Sequence, residues 1–430
     1  MSRLTVKPQT SLRGRVCVPG DKSISHRALL LSALANGVSL ISGFLPSGDC
    51  LATLACLHAL GVKVETADDA TTLTVHGRGL YGLRAPAAPL HCARSGTTMR
   101  LLAGILAGQP FTSTLTGDPQ LLDRPMRRVV EPLRRTGAKI ETTDGHAPVT
   151  IRGRRLHGGD HTLSIPSAQV KSALLLAGLY ADGPTTIRQP GPARDHTERM
   201  LAAMRASIKT DGLSITLSPS SLSPLSVRVP GDISSAAFPL VAALLLPDSE
   251  VTLARVGVNP TRTGLLDVLS AMGADIAVSD RKEQGGEPVA DVTVCASDLQ
   301  GVEIGGDTVV RMIDEFPVLA VAATQARGTT IVRDATELRV KETDRIATVA
   351  TELCKLGARI ESLPDGFVVD GPTPLYGAVV DSHGDHRLAM AMAVAGLIAQ
   401  GEVVIQNAEC MDDSFPGFVE LMQRIGAAYG

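Results

Sequence analysis

Along this chain, short polar clusters repeatedly give way to apolar runs about one helix long. Lys22-Ser23-Ile24-Ser25-His26-Arg27 leads into Ala28-Leu29-Leu30-Leu31-Ser32-Ala33-Leu34-Ala35, and the run stops at Asn36-Gly37. Pro19-Gly20 predicts a turn, Ser23 or Ser25 a helix cap, the apolar body a buried helix, and Asn36-Gly37 its end. Similar helices are predicted to begin near Ser95, Ser167, Ser234, Asp314 and His386. A second pattern, a helix end followed by Gly-Ala-x-Ile, marks the chain at Gly61, Gly137, Gly273, Gly357 and Gly426, with Arg205 in the glycine position of a sixth copy. Glycine there fits a left-handed helix terminus. Six copies define a unit of about 72 residues, each with two helices. Alternating β-branched runs such as Thr72-Leu73-Thr74-Val75, Val149-Thr150-Ile151, Leu213 to Leu217 and Asp291-Val292-Thr293-Val294 supply the strands.

Val18-Pro19-Gly20-Asp21 returns as Val229-Pro230-Gly231-Asp232. We take these as the two crossings between domains of three units each, one spanning 20–230 and the other built from 231–430, with 1–19 returning to it as a strand. The copies differ in charge, because Ile233 replaces Lys22 and Phe238 replaces Arg27. The turn, cap and apolar helix are what a fold needs; the cations belong to chemistry. At 430 residues, 44% hydrophobic and 20% charged, the chain fits two globular domains. A net charge of −3, no Trp and 3% aromatics leave no nucleic-acid signature. Seven cysteines without a Cys-x-x-Cys pair argue against a disulfide framework or zinc knuckle, and predict reduced, mostly buried thiols. Neither a signal peptide nor a membrane span is legible, so the expectation is a cytoplasmic protein with no membrane partner.

The helix starts gather cations: Lys22, Arg27, Arg94, Arg100, Lys171 and Arg387. Basic residues at several helix N-termini suit a phosphorylated or doubly anionic small molecule, which a duplicated architecture would hold between its halves. Arg94-Ser95-Gly96-Thr97-Thr98 offers amides and hydroxyls to a phosphate, and Arg124 stands before a proline. Ser167-Ala168-Gln169-Val170-Lys171 and Ala193-Arg194-Asp195-His196-Thr197-Glu198 add hydroxyl, amide and guanidinium groups. Asp195 and Thr197 equally suit a helix cap. Asp314, at a helix start among apolar neighbours, could be tuned as a base, and Lys341, Glu342 and Arg345 put a cation, an acid and a phosphate fork close together. Read alone, that charged run also fits a solvated helix start. His383-Gly384-Asp385-His386-Arg387 could imitate a metal site, but no further ligand set recurs nearby. We favour Asp385 as a cap and Arg387 as an anion contact.

Taken in order, Gly-Asp-Lys-Ser-Ile-Ser-His-Arg, Ser-Gly-Thr-Thr-Met-Arg, Arg-Pro-Met, Arg-Asp-His-Thr-Glu, Lys-Glu-Thr-Asp-Arg and Asp-His-Arg give the chain a resemblance to the 5-enolpyruvylshikimate-3-phosphate (EPSP) synthase family over essentially its full length. The resemblance implies an α/β (α+β) fold of two similar domains, each of three βαβαββ units, with helix N-termini facing an interdomain cleft. It implies transfer of the enolpyruvyl group of phosphoenolpyruvate to the 5-hydroxyl of shikimate 3-phosphate, with no cofactor and no metal. By the same resemblance, Lys22, Gly96, Arg124, Arg345 and Arg387 match phosphoenolpyruvate contacts. Lys22, Ser23, Arg27, Ser167, Ala168, Gln169, Arg194, Asp314 and Lys341 match contacts to shikimate 3-phosphate. Asp314 and Glu342 match the proton-transfer carboxylates, with Lys22 and Lys341 also in catalytic positions. The expected partners are these two small molecules, with no nucleic acid, and the expected state is a monomer.

The chain departs from the family's pattern at three places: Ala93-Arg94 where Gly-Asn is usual, Ala193 where a Ser or Thr is usual, and Asp413 where many members carry lysine. Two alternatives bear on the reading. The sister transferase acting on UDP-N-acetylglucosamine usually has a catalytic cysteine in the loop before the Arg-Pro pair, and Gly117 to Asp123 has none. A paralogue that only binds a phosphorylated metabolite would have no need of Asp314, Lys341 and Glu342.

Overall fold

Helices that are apolar on every side must be covered on every side, and six such helices organise the chain: Lys22–Leu34, Gly96–Ala107, Ala168–Gly178, Ile233–Leu245, Phe316–Gln325 and His386–Ile398. Nearly all their residues are buried. The computed structural model describes residues 3–430. Five of the six helices start with a side chain accepting a backbone N–H of the first turn, from Asp21, Ser95, Ser167, Asp232 and Asp385. The expected caps Ser23 and Ser25 are therefore corrected to Asp21, whose carboxylate accepts from the Ile24 amide at 2.9 Å. The Asp21 carboxylate, one residue before the helix, reaches the free amide, while the Ser25 hydroxyl is taken by the Leu45 N–H. Asp314 lies two residues before its helix, with Glu315 at the N-cap position.

The six-fold repeat is visible in the sheets. Strands Ser226–Arg228, Val38–Ser42, Leu73–His76 and Lys63–Thr66 form one sheet in that order, the first pair parallel and the rest antiparallel. The same order recurs from Leu90–His91 through Lys139–Thr143, from Gly159–Thr162 through Ile208–Asp211, and in the two sheets that contain Glu250–Gly257 and Gly328–Val332. In the last, three-stranded sheet, Val379–Asp381 runs parallel to Val403–Gln406, and Arg3–Val6 closes the antiparallel side. A second N-terminal strand, Arg13–Val16, lies parallel to Glu250–Gly257.

The chain divides into two compact units: Gly20–Val229 with Glu283–Glu287, and 3–19 with Pro230–Lys282 and Pro288–Gly430. Each has its own apolar core, centred on its three apolar helices. The Gly-Ala-x-Ile glycines all take left-handed backbone, φ from 82 to 110°. Arg205 adopts the same conformation, φ 62°, without being glycine. The repeat therefore fixes the backbone even where the residue is unsuited to it. Four of the seven cysteines are buried, while Cys17 and Cys354 are exposed and Cys295 is intermediate.

Candidate functional site

In the first unit, the Lys22–Leu34 helix brings Lys22 to Asp49, Nζ to Oδ2 3.1 Å, both side chains about one-fifth exposed. Asp49 starts the next helix, Gly48–Ala59, and is a partner the sequence reading missed. One turn on, Arg27 is buried and donates from Nε to Thr197 Oγ1 at 2.7 Å, from Nη2 to Ser172 Oγ at 2.8 Å and from Nη1 to the Ser23 carbonyl at 3.0 Å. Burial pushes its pKa down to about 10, with Glu198 and Asp21 opposing and Arg194 assisting the fall. Uncharged oxygens hold this cation in place without neutralising it, so its charge stays available to an anion.

Gly96 opens the second apolar helix. A Cβ there would lie 2.7 Å from Arg100 Nη1 and 3.5 Å from Arg124 Nη1, so the missing side chain leaves room for two guanidinium groups beside the start of the helix. Arg100 donates to Gln169 Oε1 at 2.8 Å, and Gln169 donates to Thr97 Oγ1 at 3.0 Å, joining the starts of the second and third helices. Ser167 caps the third helix, with Ala168 as its first residue. Lys171 is buried and paired with Glu198 at 2.6 Å, also donating to the Ala193 carbonyl. Asp195 does not cap its helix but holds Arg199 at 2.8 Å, and the Thr197 hydroxyl serves Arg27. Ala93 sits at φ 47°, and Arg94 is exposed with Nε 3.9 Å from Asp118 Oδ2.

In the second unit, one guanidinium collects the candidate catalytic groups. Arg345, almost fully buried, donates from Nε to Asp385 Oδ2 at 2.8 Å, from Nη2 to Glu342 Oε2 at 2.7 Å and from Nη1 to Asp314 Oδ1 at 3.3 Å. Burial alone would lower its pKa; Asp385, Glu342 and Asp314 outweigh that and raise it. Asp385 is held low by the same pairing, against the opposing effect of burial, and also caps its helix through the Arg387 amide. Asp314 Oδ1 further lies 3.9 Å from Lys341 Nζ and 3.9 Å from Arg387 Nε. Lys341, Arg345 and Arg387 thus meet around the Asp314 carboxylate, and Glu342 joins them through Arg345. His383 is turned to Glu352, Nε2 to Oε1 2.7 Å, and its amide is held by Asp381, so this loop histidine steadies the approach to Asp385. The chemistry available is anion binding in the first unit, and carboxylates poised among cations in the second.

Comparison with known proteins defines a class first. Solved EPSP synthase from Acinetobacter baumannii superposes with a TM-score of 0.91 at 43% identity, covering 100% of this chain and 99% of that one. The enolpyruvyl transferase NikO from Streptomyces tendae, at 21% identity and a TM-score of 0.82, shares the fold. The model of the family described as EPSP synthase (3-phosphoshikimate 1-carboxyvinyltransferase) matches residues 6–422. Proteins named 3-phosphoshikimate 1-carboxyvinyltransferase are 55% identical in Herpetosiphon aurantiacus, over 99% of both chains, and 54% identical in Geobacillus kaustophilus, over 95% of this chain and 96% of that protein. The chain belongs to the EPSP synthase family.

Proposed function

We propose that this chain transfers the 1-carboxyvinyl group of phosphoenolpyruvate to the 5-hydroxyl of shikimate 3-phosphate, releasing phosphate, in the shikimate pathway to chorismate and aromatic amino acids. The observation that carries the reading is the meeting of Asp314 with Lys341, Arg345 and Arg387 in a chain of this family. Residues 20–230 supply the shikimate 3-phosphate contacts Ser23, Arg27, Ser167, Ala168, Gln169 and Arg194, with Lys22 serving both substrates. Residues 231–430, with 1–19, supply the carboxylates Asp314 and Glu342 and the lysine Lys341. Lys22, Gly96, Arg124, Arg345 and Arg387 take phosphoenolpyruvate.

In the first step the 5-hydroxyl oxygen bonds to C2 of phosphoenolpyruvate while its proton passes to Asp314. C3 takes a proton from Glu342 or Lys22, giving a tetrahedral adduct. In the second step the C2–O bond to phosphate breaks, the proton held by Asp314 leaves with the phosphate, C3 gives up a proton to the same group, and the enol ether remains. Cations spread the charge of two phosphates and two carboxylates as they come together. Lys341, 3.9 Å from Asp314, sets a cation beside the base.

The test is phosphate release with both substrates present, wild type against Asp314→Ala. Turnover in the wild type that falls by roughly 10²–10⁴-fold in the variant supports the reaction and the base. A well-folded wild type with no turnover overturns the reading and turns attention to Ala93-Arg94, where the family's pattern is altered. Operation as a cytoplasmic monomer belongs to the same proposal, and light scattering at working concentration checks the single-chain mass.

A further inference from the structure

A cavity lies in the first unit, at the far ends of two site-bearing helices. Gly108, Gln109 and Pro110 follow the Gly96–Ala107 helix, and Tyr180, Ala181 and Asp182 follow the Ala168–Gly178 helix. Both helices rise about 1.5 Å per residue, which puts the cavity roughly 17 Å from Gly96 and Gln169. Its volume is about 390 Å³, enough for one substituted ring. Tyr81, Arg154 and Arg155 complete its wall.

Three features of this wall point to one ligand chemistry. Tyr81 and Tyr180 meet edge to face, ring centroids 5.5 Å apart at 80°, yet Tyr81 is 63% exposed, an aromatic surface left largely to water. A Cβ on Gly108 would fall 2.3 Å from the Tyr180 ring, so the glycine is what admits that ring. Gln109 and Tyr180 are buried; the Tyr180 hydroxyl is set against the Gln109 side chain, the Gln109 amide nitrogen donates to the Leu80 carbonyl at 2.9 Å, and Gln109 Oε1 has no hydrogen-bond partner. A buried amide oxygen left so calls for a donor. Two guanidinium groups face a single carboxylate here. Asp182 is already engaged by His157 Nδ1 at 2.8 Å, the Gly158 amide at 3.2 Å and Arg155 Nε at 3.9 Å. The wall therefore carries a net positive charge.

We infer that this cavity is a binding site for a single-ring aromatic carboxylate bearing a hydrogen-bond donor, its ring packed on Tyr81 and Tyr180, its carboxylate at Arg154 and Arg155, and its donor at Gln109 Oε1. The tyrosine rings supply the stacking, the guanidinium groups the charge, and the orphan amide oxygen the selectivity for a hydroxylated ring. The site is separate from the candidate reaction residues and does not depend on the proposed reaction.

The probe is 3-fluoro-4-hydroxybenzoate, followed by fluorine NMR on the full chain. Saturable broadening is expected in the wild type, weakened roughly fivefold to tenfold by Tyr81→Ala or Arg155→Ala, two exposed positions whose substitution spares the fold. Fluorophenol without the carboxylate is expected to bind more weakly, and cyclohexanecarboxylate to compete poorly. Absence of saturable binding at millimolar probe overturns the inference. Binding unchanged in both variants also overturns it, because the probe would then sit elsewhere, among the cations of the candidate site.

Discussion

Helices Lys22–Leu34 and Ile233–Leu245 are the same object built twice and used differently. Both have 13 residues, follow Val-Pro-Gly-Asp and are capped by that aspartate. In the first copy Lys22 meets Asp49, His26 meets Thr53 at 2.7 Å, and Arg27 is surrounded by hydroxyls and a carbonyl. In the second the same three positions are Ile233, Ala237 and Phe238, and Phe238 packs edge to face on Phe418 at 6.1 Å. The polar groups that remain there bind one another: Arg262 donates to Asp232 at 3.0 Å and to Ser234 at 2.7 Å, and Ser234 donates to Glu315. A duplicated backbone therefore sets only the frame. Whether a helix start receives an anion depends on three side chains in its first turns.

The largest effect is expected from putting the cation where the frame has none. Phe238→Arg would bury a guanidinium against Phe418 and its apolar neighbours, and should cost more than about 4 kcal/mol, read as collapse of the denaturation midpoint. A midpoint near wild type would mean that the second copy tolerates charge as the first does. Next, Lys22→Ile copies the second helix into the first. Asp21 still caps, so stability should hold, while turnover falls by roughly 10²–10³-fold; normal turnover would deny that charge separates the copies.

His26 gives a smaller, pH-dependent contrast. Burial drives its pKa down to about 3, whereas in the unfolded chain it protonates near 6.5. Below pH 6.5 the unfolded state binds the extra proton, so the stability His26 contributes is present above that pH and lost as pH falls toward 3. The slope approaches ~1.4 kcal/mol per pH unit. Denaturant midpoints measured across this window should flatten in His26→Gln; an unchanged slope would place the acid sensitivity in other groups. The smallest effect concerns the frame itself. Arg205→Gly should stabilise by up to about 1 kcal/mol, since glycine relieves left-handed strain but loses more chain entropy. A destabilised variant would show that the Arg205 side chain has packing of its own.

The sequence by itself determined the repeat. Hydrophobic runs of helical length, alternating strands and glycines at left-handed ends are local signals, because period and backbone preference act over a few residues. They also marked Lys22, Gly96, Ser167 and Arg387 as candidates at helix starts, where polar side chains and free amides coincide, whereas Arg124, Lys341 and Glu342 took their roles from the family resemblance. Only the tertiary structure decided who meets whom. Asp49 at Lys22, 27 positions away, leaves no local trace, nor does the choice of Thr197 and Ser172 as holders of Arg27. The cap passed to Asp21 because its carboxylate reached the amide while Ser25 was needed at Leu45. Arg345 drew Asp314, Glu342 and Asp385 together because a buried guanidinium must be matched by charge from whichever elements the packing brings near.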